Sequence, residues 1–260
     1  MTRLITVASG KGGVGKTTMV ANLGAALAQM GKDVLIVDAN LTTPNLGLHL
    51  GMPLPSVTLH DVLAGDAFIT EAIAMHPSGI RVIPAGISLN DLKRADPREL
   101  GDIVLDLIGV SDIVLIDAPA GLEEGGVAAL EAGDDLLLVT NPELPAITDA
   151  LKTRKIAEEV GTDCIGVILN RVRNEITETT VNEVEAMVDA PVIGIVPEDL
   201  EVRKAIAAKN PVVIANPNAP ASIAIKQIAA QLVGEVYIPP KVAVAREGLF
   251  TRILRFLRLK

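Results

Sequence analysis

The segment ITVASGKGGVGKTTMVANL, residues 5–23, passes from an apolar run through a glycine-rich loop into a helical pattern. Residues 10–17 satisfy the phosphate-binding pattern G-x-x-x-x-G-K-[ST] in its strand–loop–helix context. Glycines at these places let backbone N–H groups converge on phosphate oxygens, and the start of the helix adds its positive end. The segment therefore predicts a nucleotide-phosphate site after the first strand, against the alternative of a plain glycine-rich turn.

The same pattern assigns roles to side chains in the loop. We expect Lys16 to reach the terminal phosphates and the Thr17 hydroxyl to coordinate Mg²⁺. The phosphate-binding residues predicted from the motif are Gly10, Gly12, Gly13, Val14, Gly15, Lys16, Thr17 and Thr18. A nucleoside phosphate with Mg²⁺ is therefore the expected ligand.

Short apolar runs continue along the chain and alternate with candidate helices. After the run at 3–9 and a helix predicted from Lys16 to Met30, these runs are residues 33–38, 80–85, 111–117, 135–140, 163–170 and 191–197. They are apolar at almost every position, which indicates burial on both faces of a parallel sheet. The sequence therefore predicts an α/β fold with a doubly wound, mostly parallel sheet and ligands at the carboxyl ends of its strands.

Composition narrows the function classes. The 260 residues fit one large domain or two small ones, and no secretory signal or uncharged apolar span of about 18 residues is present. Cys164 is the sole cysteine, so neither a disulfide framework nor an iron–sulfur cluster is expected. The histidines, His49, His60 and His76, are predicted to lie in loops and not to form a metal site. We expect a cytoplasmic globular protein.

The loop GKGGVGKTT, residues 10–18, resembles the deviant Walker A motif of the MinD/ParA family of P-loop ATPases, and lies closest to its MinD branch. Lys11 stands at the place of the family's signature lysine, which contacts the nucleotide of the partner subunit. The resemblance therefore implies a nucleotide-binding role for Lys11, an ATP-dependent homodimer, and ATP or ADP with Mg²⁺ as cofactors. It covers residues 3–260, and the motifs come in family order.

Two further motifs follow strands of the predicted sheet. Residues 38–46, DANLTTPNL, occupy the place of switch I, and residues 117–123, DAPAGLE, resemble the Walker B and switch II segment. An aspartate after an apolar strand is common and alone leaves a magnesium role open. Together with the loop, the resemblance implies the metal ligands Thr17, Asp38 and Asp117. The catalytic roles that it implies fall on Lys11, Lys16, Asp38 and Asn40.

Three later segments match the family on the adenine side of the site. Residues 140–143, TNPE, follow the next strand, and Asn170 in the sequence ILNR stands where an amide reads the adenine edge. An asparagine after a strand is otherwise more often a turn former. The remaining residues implied to flank the base are Arg171, Pro197, Glu198 and Asp199.

Asn40 departs from the family pattern, which usually has a second aspartate here to place the attacking water. An amide hydrogen-bonds water but cannot accept a full proton. Because phosphoryl transfer depends mainly on positioning and charge stabilisation, we expect slow hydrolysis, or a share of the task for Asp38. A non-hydrolysing scaffold stays an alternative.

The last thirteen residues, GLFTRILRFLRLK, contrast with the acidic body. They carry four positive charges and no acidic residue, so the formal charge of −9 becomes −13 for the first 247 residues. At about 100° per residue, the apolar side chains fall on one helical face and the arginines on the other, as in helices that lie in the headgroup region. The membrane-binding residues predicted in this way are Leu249, Phe250, Arg252, Ile253, Leu254, Arg255, Phe256, Leu257 and Arg258.

The domain prediction follows from this ending. An ATPase domain spans 1–234 and closes with a helix around Ile223 to Val233, a proline-containing tether spans 235–247, and the amphipathic helix spans 248–260. One tail binds weakly, whereas two tails on an ATP-bridged dimer gain about 10²- to 10⁴-fold in apparent affinity. The tail also resembles the membrane-targeting end of the MinD branch. The alternative is a helix docked on its own domain.

The sequence thus predicts an ATPase that cycles between the cytoplasm and the inner face of an anionic membrane to position division or other polar machinery. An unidentified protein activator or cargo is expected, and the choice of machinery stays open. Alternatives within the fold are a ParA-like DNA-partitioning ATPase, which the negative body disfavours, and an ATP-dependent ligase, which needs neither Lys11 nor the tail. Iron–sulfur carriers of the superfamily are also disfavoured, because they need several cysteines to hold a cluster and this chain has one.

Overall fold

The computed structural model of the chain describes residues 2–53, 55–88 and 93–239. The predicted amphipathic helix at 248–260, and residues 240–247 of the predicted tether, lie outside the described residues. The strands defined within them are β1 Arg3–Ser9, β2 Val34–Asp38, β3 Ala74–Met75, β4 Arg81–Ile83, β5 Ile113–Ala120, β6 Asp135–Thr140, β7 Asp163–Val172 and β8 Val192–Pro197.

All eight strands belong to one sheet with the order β3-β4-β2-β5-β1-β6-β7-β8. Every neighbouring pair is parallel except β3 and β4, which are antiparallel. Because β1 lies between β5 and β6, the loop after β1 opens at the centre of the carboxyl edge, where ligands bind in such sheets. The predicted α/β fold with a mostly parallel sheet is confirmed.

The helices cover both faces of the sheet. Their bounds are α1 Lys16–Gln29, α2 Leu46–Leu50, α3 Leu59–Leu63, α4 Leu100–Leu105, α5 Glu124–Glu131, α6 Leu144–Val160, α7 Val181–Val188, α8 Leu200–Ala207, α9 Val212–Ala215 and α10 Pro220–Leu232. Short 3₁₀ turns stand at Ile69–Ala72 and Pro97–Glu99. None of the helices within the described ranges is long and apolar enough to cross a membrane.

Alternation along the strands divides the core into two layers. In β2, Leu35 and Val37 pack into one layer, and Val34 and Ile36 pack into the other. The first layer contains the apolar faces of α3, α4, α5 and α7, and the second contains those of α1, α2, α9 and α10. Successive side chains point to opposite faces of a strand, so strands covered on both sides must be apolar throughout.

Three sequence expectations need correction. The strand β3 was not predicted, because two residues with an exposed Met75 leave no periodic signal. The last helix begins at Pro220 rather than near Ile223, since proline suits the first turn of a helix. Two histidines predicted in loops lie in helices instead, His49 in α2 and His60 in α3. Five residues are too few for a helical period to be read.

Candidate nucleotide site

The loop between β1 and α1 turns through two left-handed backbone conformations. Gly13 has a φ of +83° and Gly15 a φ of +96°, values that residues with a Cβ rarely adopt. Gly15 is the N-cap of α1, and no side chain caps this end of the helix. The N–H groups of the first turn are therefore left for another acceptor, which suits an anion.

Close contacts explain two of the glycines. A Cβ on Gly10 would collide with the backbone carbonyl of Asp149 in α6, so glycine lets the loop lie directly on that helix. A Cβ on Gly15 would lie 2.5 Å from Nδ2 of Asn170. The same Nδ2 donates to the carbonyl oxygen of Val14 at 2.7 Å. Asn170 therefore braces the glycine loop from the end of β7.

Two aspartates lie on adjacent strands beside the loop. The motif that begins at Asp117 was predicted to follow its strand, but β5 continues to Ala120, so Asp117 lies within the strand. Asp38 ends β2 and pairs in register with Asp117 on β5. Lys16 Nζ lies 2.5 Å from Asp117 Oδ1, and both side chains are buried. The carboxylate of Asp38 accepts the N–H groups of Asn40 and Leu46, each at 3.2 Å. The P-loop lysine thus pairs with one carboxylate while the backbone of the switch I segment holds the other.

Burial raises the pKa of Asp38 to about 8, and the charge of Asp117 adds to the rise. The two backbone N–H donors and Lys16 oppose this shift without cancelling it. Burial beside Asp117 therefore favours the protonated form of Asp38 when no metal is bound. The two aspartates therefore have different surroundings: Lys16 pairs directly with Asp117, whereas Asp38 accepts hydrogen bonds from the backbone.

The residues at this edge fit a magnesium ion that is shared with nucleotide phosphates. Asp117 Oδ2 is buried and has no hydrogen-bond partner among the described residues. Thr17 lines the same cleft as Lys16. Within the described ranges, no cluster of three or more His, Cys, Asp or Glu side chains could hold a metal. One or two carboxylates with phosphate oxygens are a common magnesium environment, so the donor set fits Mg²⁺.

A cleft of about 810 Å³, open solvent included, lies in front of the glycine loop. It brings together most of the predicted phosphate-binding residues with part of the switch I segment. The lining residues from these two regions are Gly12, Gly13, Gly15, Lys16, Thr17, Thr18, Asn40, Thr43 and Asn45. The size is sufficient for a phosphate chain with its metal.

A second cleft, of about 490 Å³ with open solvent included, continues from the first and shares Gly15, Thr18, Arg171 and Ile206 with it. It also contains the residues predicted to flank the base, which are Asn170, Arg171, Pro197, Glu198 and Asp199. Apolar side chains of α1, α8 and α10 form its other walls. Such a cleft with a few polar groups at its rim is typical of a site for a flat base.

The polar residues at this rim are largely engaged with the protein. Arg171 sits in a β-bulge with a φ of +59°, and its guanidinium and that of Arg203 both contact Glu198. The carboxylate of Asp199 caps α8 through the N–H of Glu201 and also accepts the N–H of Ala221 in α10. Asp199 therefore builds the wall of the base cleft by fixing two helix starts.

Three predicted loop residues line neither cleft. Gly10 packs on α6, and Val14 is buried with its carbonyl bonded to Asn170. Lys11 is half exposed, and its Nζ lies 3.9 Å from a carboxylate oxygen of Glu143. The Lys11 side chain thus lies near Glu143 and does not line the phosphate cleft of its own chain.

Sequence reasoning missed the apolar walls of the base cleft and one side chain beside the phosphates. The missed wall residues are Met19, Val196, Val202, Ile206 and Ile225. Val202 and Ile206 are four residues apart on α8, a helical spacing that could have been read directly after Asp199. His49 lines the phosphate cleft, and no motif signalled it.

Comparison with known proteins identifies the family of the chain. Residues 5–212 match the family model described as the CobQ/CobB/MinD/ParA nucleotide binding domain. The chain belongs to that family. The matched range contains the glycine loop, Lys16 and both aspartates.

Three relatives place the chain within the MinD/ParA family. It is 48% identical over 233 residues to an uncharacterized ATP-binding protein of Methanocaldococcus jannaschii, covering 90% of this chain and 88% of that protein. The septum site-determining protein MinD of Pyrococcus horikoshii, solved with Mg-ADP, matches with a TM-score of 0.86 and 38% identity, covering 89% and 96%. The MinC:MinD complex of Aquifex aeolicus matches with a TM-score of 0.80 and 33% identity, covering 92% and 98%.

Proposed function

We propose that this MinD/ParA-family chain is a MinD-like ATPase that binds ATP with Mg²⁺ and hydrolyses it slowly. The observation that carries the proposal is the uncapped start of α1 and Lys16 at one cleft, with Asp117 buried behind the cleft and paired to Lys16. Similarity to a MinD protein solved with Mg-ADP supports the choice of ligand.

The roles of the residues follow from their positions. Backbone N–H groups of the loop and the first turn of α1 bind phosphate oxygens, and Lys16 neutralises their charge. Thr17, Asp38 and Asp117 are the proposed magnesium ligands, and the ion when bound supplies charge neutralisation to the phosphates. Asp38 fixes the backbone of the switch I segment through two hydrogen bonds, and Asn40 orients the attacking water.

Calorimetry with ADP and a phosphate-release assay with ATP test this proposal. We expect magnesium-dependent ADP binding, slow phosphate release, and loss of both in Lys16→Ala. ADP binding without any phosphate release would favour the non-hydrolysing scaffold, which Asn40 keeps open. Absence of nucleotide binding by the wild-type chain would overturn the proposal.

We further propose that ATP joins two copies of the chain. The supporting observation is that Lys11 is half exposed and does not line its own phosphate cleft, so it is accessible to a nucleotide bound by a partner. Glu143, the contact of Lys11, is also exposed, so a second copy can approach this side of the loop.

The proposed destination of the dimer is an anionic membrane. The supporting observation is the sequence of the tail, in which apolar and basic faces are separated. Co-sedimentation with vesicles containing phosphatidylglycerol tests it, comparing the full chain with one that ends at Glu247. We expect pelleting that requires both ATP and the tail. Equal pelleting in ATP and ADP would make the tail a constant anchor, and no pelleting would contradict membrane binding.

A protein partner is the last part of the proposal. The similar MinC:MinD complex shows that a MinD protein assembles with another protein. We propose that this chain likewise carries an activator or cargo in its ATP-bound form. A pull-down with the ATP-bound and ADP-bound chain tests this, and capture that does not depend on nucleotide would contradict it.

A further inference from the structure

His49 lies on α2, outside every motif of the nucleotide site, and its ring joins two parts of that site. Its Nε2 lies 3.3 Å from Oγ1 of Thr18 in the first turn of α1. Its Nδ1 lies 2.9 Å from the carbonyl oxygen of Asn45, at the start of α2. The ring is half-buried and lines the phosphate cleft beside Lys16 and Thr17.

The two partners determine which nitrogen of a neutral His49 carries the proton. The carbonyl of Asn45 can only accept, so Nδ1 must be the protonated nitrogen and donate to it. Nε2 is then an acceptor, and the Thr18 hydroxyl donates to it. The hydroxyl proton of Thr18 is thereby used within the protein. Its backbone N–H, in the uncapped first turn of α1, stays available to a phosphate.

Hydrogen bonds continue from α2 through the switch I segment, residues 38–46. The side-chain amides of Asn45 and Asn40 both donate to the carbonyl oxygen of Thr43, each at 2.8 Å. The N–H of Asn40 donates to Asp38 Oδ1 at 3.2 Å. The contact between His49 and Thr18 therefore connects the start of α1 with the residues proposed to place the attacking water.

We propose that His49 is a positioning residue that ties the switch I segment to Thr18. The inference rests on the proposed ATPase function and deepens it. It reassigns the Thr18 side chain from phosphate binding to holding this segment, while the Thr18 backbone N–H serves the phosphate. Losing the tie should displace Asn40 and slow turnover, but it should leave nucleotide affinity nearly unchanged.

Two substitutions of the ring separate its contacts. His49→Asn places an amide where Nδ1 lies and so keeps a donor for Asn45, but it loses Thr18. His49→Gln extends an amide to the position of Nε2 and so keeps an acceptor for Thr18. His49→Gln is therefore the conservative variant that keeps the contact with Thr18, and His49→Asn is the matched variant that loses it. Thr18→Val removes the same contact from the other side.

Steady-state kinetics of ATP hydrolysis give the first test. We expect His49→Asn and Thr18→Val each to lower kcat on the order of tenfold, with KM for ATP changed less than about twofold. The double variant should be no slower than either single one, because both remove one contact. His49→Gln should regain most of the turnover.

Several kinetic outcomes would overturn the inference. These are full turnover in His49→Asn, additive losses in the double variant, and a large rise of KM in Thr18→Val with kcat unchanged. The last result would indicate that the Thr18 hydroxyl binds phosphate, as the sequence predicted, and does not hold the switch I segment.

A spectroscopic test does not depend on activity. Imidazole ¹⁵N shifts of the wild-type protein without nucleotide report which nitrogen of each neutral ring is protonated. We expect the signal absent from His49→Asn to show a protonated Nδ1, and a protonated Nε2 would overturn the assignment. If the wild type fails to hydrolyse ATP, the proposed function fails and with it the role of His49 in turnover, whereas the tautomer separately tests the contact between His49 and Thr18.

Discussion

Lys16 Nζ lies 2.5 Å from Asp117 Oδ1 beneath the glycine loop, and the two side chains are only 7% and 1% exposed. Asp38, the register partner of Asp117, is buried beside them. One cation therefore serves a buried cluster with two carboxyl groups. The cluster is built by the sheet, because β2, β5 and the loop after β1 end at one edge.

Removing the cation should destabilise the fold. Lys16→Met leaves Asp117 buried without its counter-charge, and we expect the free energy of unfolding in urea to fall by about 3 kcal/mol. The double variant Lys16→Met/Asp117→Leu removes both partners and should recover most of that loss. The measurement uses buffer without nucleotide or magnesium. A Lys16→Met variant as stable as the wild type would show that the pair contributes nothing.

The raised pKa of Asp38 predicts a pH dependence of stability. Its pKa is about 8 in the folded chain and 3.8 as the unperturbed reference, so the folded state binds more protons between these values. Stability should therefore fall as pH rises through this window, by at most about 1.4 kcal/mol per pH unit.

Asp38→Asn supplies the control, because an amide does not titrate. Its stability relative to the wild type should grow from about pH 5 to pH 8 in urea denaturation without magnesium. A difference between the two proteins that stays constant over this range would mean that Asp38 is ionised throughout.

The close approach of the loop to α6 predicts unequal costs for two glycines of one motif. Gly10→Ala places a Cβ against the backbone of Asp149, so the loop or the helix must shift, and we expect a loss above about 2 kcal/mol. In Gly12→Ala, the atom nearest to the new Cβ is the Cβ of Ala120 at 3.8 Å, which is an ordinary van der Waals contact. Thermal unfolding should therefore separate the variants, and equal melting temperatures would contradict the described packing.

Asn40 is the position where a single substitution should raise turnover. Asn40→Asp supplies a carboxylate that can accept a proton from the attacking water, and we expect phosphate release to become several-fold faster. The variant also loses the donor to the Thr43 carbonyl, so part of the gain is offset by a looser segment. Identical turnover in both proteins would show that the amide does not limit hydrolysis.

The sequence predicted the sheet and the phosphate loop because each has a local signal. Strands covered on both faces are apolar at every position, and the loop residues are adjacent in the chain. The walls of the base cleft and the tie between His49 and Thr18 have no such signal. They arise only when β7, α8 and α2 are folded beside α1, through contacts between residues far apart in the chain.

Asn170 illustrates the same limit. Its position near the carboxyl end of an apolar run was predictable, and it lies at the base cleft. Its hydrogen bond to the Val14 carbonyl could not be predicted, because that contact joins residues 156 positions apart. The side chain thus supports the loop as well as lining the cleft.

The most direct test of the proposed ATP-dependent dimer is the mass of the full chain by light scattering, with ADP and with ATP at a temperature where hydrolysis is slow. The expected result is a 27.2 kDa monomer in ADP and a particle of twice that mass in ATP. Lys11→Ala should still bind ATP and yet stay a monomer. A wild-type chain that binds ATP but has the same mass in both nucleotides would contradict the account.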